Sequence, residues 1–160
     1  MVRERLYGLN AYGVTMTELL VVVAIVGIVS AVATPYFMSY LQSAALKAAA
    51  QELATMVSGG RQLAIARNTT VCVALSGNQA LYKTGVSTTC RGGTTYLGAN
   101  TRNDGTMSLD NRVTITSTTA NVVFSSLGVA VTAGTYTVHN PTTGDNLSVV
   151  VSSTGRVTIQ

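Results

Sequence analysis

Between Leu19 and Ala33 the chain reads LLVVVAIVGIVSAVA, with no charged residue. Residues 14–17 extend this run toward the N-terminus. Counting on to Phe37 brings it to roughly the 20 residues that cross a bilayer as a helix. Such a run must lie in lipid or pack against other apolar surface, and everything downstream follows from that. The segment before it, MVRERLYGLNAYG, is short and polar and carries Arg3 and Arg5. By the positive-inside rule this end is cytoplasmic, and the chain after Tyr40 lies across the membrane. An ordinary secretory signal has its small-residue cleavage site after the apolar run. Here the small residue, Gly13, comes before it, so cleavage after Gly13 would leave the apolar segment on the mature chain. An uncleaved signal anchor is the simpler alternative.

Glu18 argues for cleavage. It stands at the edge of the apolar run, directly before Leu19 and Leu20. A carboxylate costs about 2.5–3.5 kcal/mol at the centre of a membrane helix and less near an end, so it calls for a partner. The α-amino group that cleavage would create at Val14 is the best one available. Within one chain that amine lies a helical turn from Glu18. Between chains, Glu18 can neutralise the amine of an adjacent subunit as both helices enter a packed bundle.

After Pro35 the sequence is rich in Ala and reads as helix. Leu46, Ala49, Leu53, Met56, Gly60 and Leu63 recur at steps of three and four and form one apolar stripe, while Lys47, Gln51, Ser58 and Gln62 fall on another face. A helix from Val14 to Arg67 would run to roughly 80 Å at 1.5 Å per residue, far more than a bilayer needs. Its first half therefore needs lipid or other subunits around it, and its second half a head domain. Gly59-Gly60 implies a bend or a close approach. Pro35 removes one backbone hydrogen bond and kinks the helix, and Asn68 is a reasonable stop.

Residues 68–160 read as a β-rich head. Alternating apolar and polar residues predict strands over 70–75, 80–84, 112–116, 122–125, 135–139, 147–152 and 156–159. Turn signals such as Ser76-Gly77-Asn78, Asn140-Pro141-Thr142 and Ser153-Thr154-Gly155 separate them, which favours antiparallel pairing. Residues 86–107 read as a loop. The two cysteines, Cys72 and Cys90, have no CxxC motif or histidine cluster around them, so a metal site is not indicated. In an oxidising compartment they would form a disulfide, worth roughly 3 kcal/mol for a loop of this size; two buried free thiols are the alternative.

Gly13-Val14-Thr15-Met16-Thr17-Glu18-Leu19-Leu20 resembles the class III signal of type IV pilins and type II secretion pseudopilins. Pro35 matches the proline usual in their helices, and Val14 stands where Phe or Met is commoner. Ala64-Ile65-Ala66-Arg67-Asn68, Val123-Phe124-Ser125-Ser126-Leu127-Gly128 and the ending Val150 to Val157 are similar to blocks of the GspH/FimT minor pilin family. The resemblance implies an α+β fold, a long helix packed on an antiparallel β-sheet head. It implies cleavage between Gly13 and Val14 by a prepilin peptidase, N-methylation of Val14, and an assembly salt bridge from Glu18. The partners implied are other pilins or pseudopilins, an inner-membrane assembly platform, and membrane lipid before assembly. The subunit would sit in the inner membrane with a periplasmic head, then initiate or tip a type IV pilus or a type II secretion pseudopilus. The domains expected are a leader over 1–13, a helix over 14–67 spanning the membrane at 14–37, and the head.

Other chemistry has little support. Charged residues are 10% of the chain, and the net charge of +4 falls to +3 without the leader (8 basic against 5 acidic residues), too small and scattered to imply nucleic acid. His139 is the only histidine and has no Cys or carboxylate neighbour in sequence; Asp104, Asp110 and Asp145 lack the spacing of a calcium loop. No enzyme, cofactor or metal site is expected. Some FimT-like pilins take part in DNA uptake, so a DNA-binding pilin of a competence pilus is the alternative, with Arg91, Arg102, Arg112 and Arg156 as the candidate phosphate contacts.

Overall fold

A computed structural model of the protein describes residues 13–98, 101–109, 113–117 and 121–160. One helix, α1 (Met16–Ala66), is followed by β1 (Val71–Ser76), β2 (Gln79–Thr84), β3 (Thr94–Thr95), β4 (Thr106–Ser108) and β5 (Thr114–Ser117). The strands continue as β6 (Val122–Phe124), β7 (Ala130–Thr132), β8 (Gly134–His139), β9 (Asn146–Val151) and β10 (Val157–Ile159). The chain divides into two units, the first ending at Ser39 and the second Tyr40–Gln160. In the first, residues 13–39 are all exposed and include Leu19, Leu20, Val23, Ile25, Ile28 and Val32. Pro35 lies inside α1, which continues through it.

The second unit is built on the later part of α1. Leu46, Ala49, Ala50, Leu53, Val57, Gly60 and Ala64 are buried, at steps of mostly three and four. The stripe read from sequence is shifted near its end, because Val57 and Ala64 take the buried places and Met56 and Leu63 pack at the margin. α1 ends in a Schellman turn: Asn68 has φ 46°, its N–H donates to Ile65 O, and the Thr69 N–H donates to Ala64 O. Asparagine tolerates this left-handed conformation, which lets the final carbonyls find donors.

Two antiparallel sheets complete the head. The larger runs β3-β2-β1-β6-β7, with β4 also paired to β2; the smaller runs β10-β9-β8-β5. The stretch over 86–107, expected to be a loop, contains β3 and begins β4, and β7 is a further strand that the alternation does not predict. Each is two or three residues long and is held by its pairing, β3 and β4 to β2 and β7 to β6. β1 is buried on both faces. Val71 and Val73 join the main core with α1, while Cys72 and Ala74 join Val86 and Val123 in a second cluster. Cys72 and Cys90 form a disulfide with Cα atoms 5.5 Å apart, which ties the β2–β3 connection over this second face.

Gly60 is where helix and sheet come closest. A Cβ there would stand 2.5 Å from Val73 Cγ2 and 3.3 Å from the Tyr82 ring, and one on Gly59 would stand 2.8 Å from the Tyr82 hydroxyl. Of the two readings of the glycine pair, the structure selects close approach. Tyr82 then donates its hydroxyl to Met56 O at 2.5 Å.

Tyr136 joins the two sheets. It is fully buried in β8, and its hydroxyl accepts from Val122 N–H and donates to Val73 O, both at 2.9 Å. Val73 and Val122 are register partners at the end of the β1–β6 ladder, so a phenol from the smaller sheet satisfies backbone groups of the larger. Asn78, in the β1–β2 turn, makes a second tie: its side chain bonds Val113 O and Ile115 N–H and its carbonyl accepts from Leu109 N–H. A third is Asn140, buried in the β8–β9 turn, whose Nδ2 donates to Gln42 O of α1 at 3.4 Å.

Burial raises the phenol pKa values of Tyr82 and Tyr136 from 10.0 to about 12. A raised folded-state pKa means that their contribution to stability is complete below pH 10 and is lost as pH climbs toward 12. Chemical denaturation of the detergent-solubilised chain is expected to give a midpoint that is flat up to pH 10 and falls above it. Tyr136→Phe, which strands the Val73 carbonyl and the Val122 N–H, is expected to cost about 2–4 kcal/mol at pH 7 and to flatten the alkaline fall.

Candidate functional site

The N-terminal residues of interest are placed by a helix cap. Gly13, Val14 and Thr15 precede α1 and are exposed; the rest of the expected leader, residues 1–12 with Arg3 and Arg5, lies outside the described residues. Thr15 is the cap: its Oγ1 accepts from the Glu18 N–H at 3.2 Å, and its carbonyl accepts from Leu19 N–H at 3.1 Å. Thr15-Met16-Thr17-Glu18 is thus the T-x-x-E pattern of a capping box, a signal present in the sequence itself. The Gly13–Val14 peptide bond lies outside the helix, in an exposed stretch, and a Cβ on Gly13 would meet nothing within 4 Å. Glu18 falls in the first turn of α1, where a carboxylate faces the positive end of the helix dipole.

A second grouping lies in the head. The Arg61 Nε donates to Gly128 O at 2.8 Å, and an added Cβ on Gly155 would run into that same carbonyl and come within 3.2 Å of Arg61 Nε. The turns holding Leu127-Gly128 and Thr154-Gly155 therefore meet on one arginine of α1, and Ala130 N–H also donates to Ser153 O. Two blocks that are far apart in sequence form one junction. Nothing in the sequence marks Arg61 as its centre.

A cleft of about 1070 Å³ lies between α1 and the β2–β4 region, lined by Gln62, Tyr82, Tyr96, Arg102 and Met107. Several of its polar groups are engaged within the chain. The Tyr82 hydroxyl is on Met56 O and Arg102 Nη2 donates to Ser108 Oγ at 2.7 Å; Arg67, which lines a smaller cavity, sits 5.3 Å from the centre of the Tyr96 ring.

His139 faces Asn146 across the β8–β9 ladder, Nδ1 to Oδ1 at 2.8 Å. Asp104 accepts from both the hydroxyl and the N–H of Thr106, and the hydroxyl bond first, then the backbone bond, lowers its pKa. It is a turn residue. Among the described residues no three His, Cys, Asp or Glu side chains gather as metal ligands; Asp110 lies outside them. Three of the four arginines considered for DNA lie within the described residues. Arg91 lines a smaller cavity with Lys83 and Cys90, Arg102 lines the large cleft, and Arg156 stands in the turn before β10. Arg112 lies outside the described residues.

The family model for the type II transport protein GspH matches residues 49–155. Comparison with curated proteins finds no significant match. Among solved structures, the Pseudomonas aeruginosa type IV minor pilin FimU is 20% identical, over 71% of this chain and 91% of that one, with a TM-score of 0.50. The minor pseudopilin EpsH from the type 2 secretion system of Vibrio cholerae is 11% identical, over 71% and 94%, with a TM-score of 0.53. The fold is similar to both.

The junction in the head makes a quantitative expectation. Arg61→Ala removes a charge-assisted bond to a carbonyl and is expected to cost about 1.5–3 kcal/mol in urea denaturation. Gly155→Ala combines a collision with an unfavourable positive φ of 80° and should cost at least about 1 kcal/mol. Because both act on the Gly128 carbonyl, the double variant is expected to lose less than the sum of the two.

Proposed function

We propose that this chain, which belongs to the type II transport protein GspH family, is a minor pilin or pseudopilin whose precursor is cleaved after Gly13. In this reading residues 1–13 are the leader, 14–37 hold the subunit in the inner membrane, and 68–160 form a periplasmic head. The observation that carries it is the junction at Gly13–Val14. An exposed peptide outside the helix is followed directly by a capped helix with Glu18 in its first turn and an exposed apolar stretch behind it. A prepilin peptidase can reach such a bond without unwinding α1.

Cleavage changes the electrostatics. It places a cationic α-amine on Val14, beside the positive end of the helix dipole, an unfavourable site. Glu18 offsets that charge, within the chain or from a neighbouring subunit, and N-methylation of Val14 would keep it. Bringing several such helices together removes their apolar side chains from lipid into a bundle, with each Glu18 meeting a neighbour's amine. The assembly platform and other pilins or pseudopilins are the partners, and the place in the filament is its initiating end or tip. The Cys72–Cys90 disulfide supports an oxidising compartment for the head.

Mass analysis of the protein purified from a host with the peptidase is expected to show a chain starting at Val14. Gly13→Ala should retain the leader, and Glu18→Ala should lose incorporation into filaments. Normal processing and assembly of both variants would show the reading to be wrong.

A further inference from the structure

The aromatic residues of this chain are unevenly placed. Of two Phe and seven Tyr, none falls between Gly13 and Pro35, and Tyr36, Phe37 and Tyr40 follow at once. Tyr82, Tyr96, Phe124 and Tyr136 belong to the head, where Phe124 and Tyr136 are fully buried and Tyr82 nearly so. Tyr36 and Phe37 are 75% and 60% exposed, so nothing in the first unit uses their rings. Rings at the end of an apolar helix suit the headgroup layer of a bilayer, where an apolar face and a polar edge are both accommodated.

Length gives these two residues a specific task. From Glu18 to Tyr36 there are 18 steps along α1, or about 27 Å at 1.5 Å per residue, close to the roughly 30 Å thickness of a hydrocarbon core. With Tyr36 and Phe37 at the head-side interface, Glu18 therefore reaches the opposite interface. If the helix slid by a turn toward the head side, it would draw the carboxylate about 5.4 Å into the hydrocarbon, at a rising cost. Few polar groups oppose such a slide: the residues from Leu19 to Ala33 carry only Ser30.

We infer that Tyr36 and Phe37 bind the lipid headgroup layer and set the depth of α1, holding Glu18 at the far interface where a cationic partner can meet it. This inference rests on the membrane-anchored reading above and assigns the residues that fix its register. The bilayer interface is the occupant; the helix of a second copy is the competing one.

The chain contains no tryptophan, so a single introduced indole reports on its own position alone. The full-length protein would be reconstituted in phosphatidylethanolamine–phosphatidylglycerol vesicles containing lipids brominated either near the headgroup or near the chain end. Tyr36→Trp is expected to be quenched more by shallow bromines, and Ile28→Trp more by deep ones, whatever the protein-to-lipid ratio. Adding Tyr36→Ala and Phe37→Ala to the Ile28→Trp chain should move that profile away from the bilayer centre. If the indole at position 28 is not quenched by deep bromines, the membrane reading itself fails. If that indole is deep but the one at position 36 is not shallow, or its signal follows the protein-to-lipid ratio as a helix–helix contact would, only this inference is overturned. A position-28 profile unmoved by the double alanine change would also overturn it.

Discussion

One helix has to satisfy two different surroundings, and most of this protein is arranged around that demand. α1 runs without a break from Met16 to Ala66, yet its early side chains and its late ones face opposite problems. The early ones are apolar and exposed, and each fully buried Val, Leu or Ile would contribute about 1.5–3 kcal/mol. The late ones are small on one side, which lets a sheet come down onto the helix at Gly60. Replacing alanines and glycines there with bulkier residues would raise helix content or apolar area at the cost of that approach. The first stretch needs an apolar environment that its own unit does not supply; the second builds its own.

The head achieves its cohesion with few charges. Its ties are neutral side chains that bond backbone groups of another element: Tyr136 on Val73 and Val122, Asn78 on the chain around Val113 and Ile115, and Asn140 on Gln42 of α1. Arg61 is a charged tie among them, and it too is committed to a carbonyl, that of Gly128. This is why a chain with 10% charged residues can hold two sheets and a helix together. A neutral donor loses less on leaving water than an ion does, and pairing it with a backbone group recovers most of that loss.

What can be read in the sequence is whatever repeats or is marked by a special residue. The long apolar run, the helix, its stop at Asn68, the seven strands β1, β2, β5, β6, β8, β9 and β10, the disulfide and the α+β class are legible for that reason. β3, β4 and β7 are not, since each exists through its pairing, β3 and β4 on β2 and β7 on β6, and pairing is not written in a segment of two or three residues. The buried stripe of α1 takes in Val57 and Ala64 rather than Met56 and Leu63 because the sheet meets the helix on the side that also carries Ala50. An apolar stripe counted on the helix alone does not show which flank the sheet covers, and Tyr82 takes the space beside Gly59 and Gly60. The meeting of Gly128, Gly155 and Arg61 depends on contacts between residues far apart in sequence. The cap at Thr15 is different: T-x-x-E is local and legible, but the cost of a carboxylate beside an apolar run draws the eye to the side chain of Glu18 rather than to its backbone.

That last point bears on how Glu18 acts. Its N–H is held by Thr15 while the residues before Val14 are still in the chain, so the first turn of α1 is set ahead of the proposed cleavage, and the carboxylate lies where the helix dipole already favours it. In this reading cleavage does not build the site; it adds a cation next to one that exists. A carboxylate so placed stabilises the helix start in the precursor and compensates the new amine in the mature chain. In a bundle it offers the neighbour a charge whose position along the helix axis is fixed by the cap. A glutamate one turn further in would lose the dipole and sit deeper in hydrocarbon; one turn earlier, it would fall outside the helix and have no fixed direction. Under the proposed processing, the position of Glu18, three residues after Thr15, is therefore the one that would serve precursor, mature chain and assembly alike.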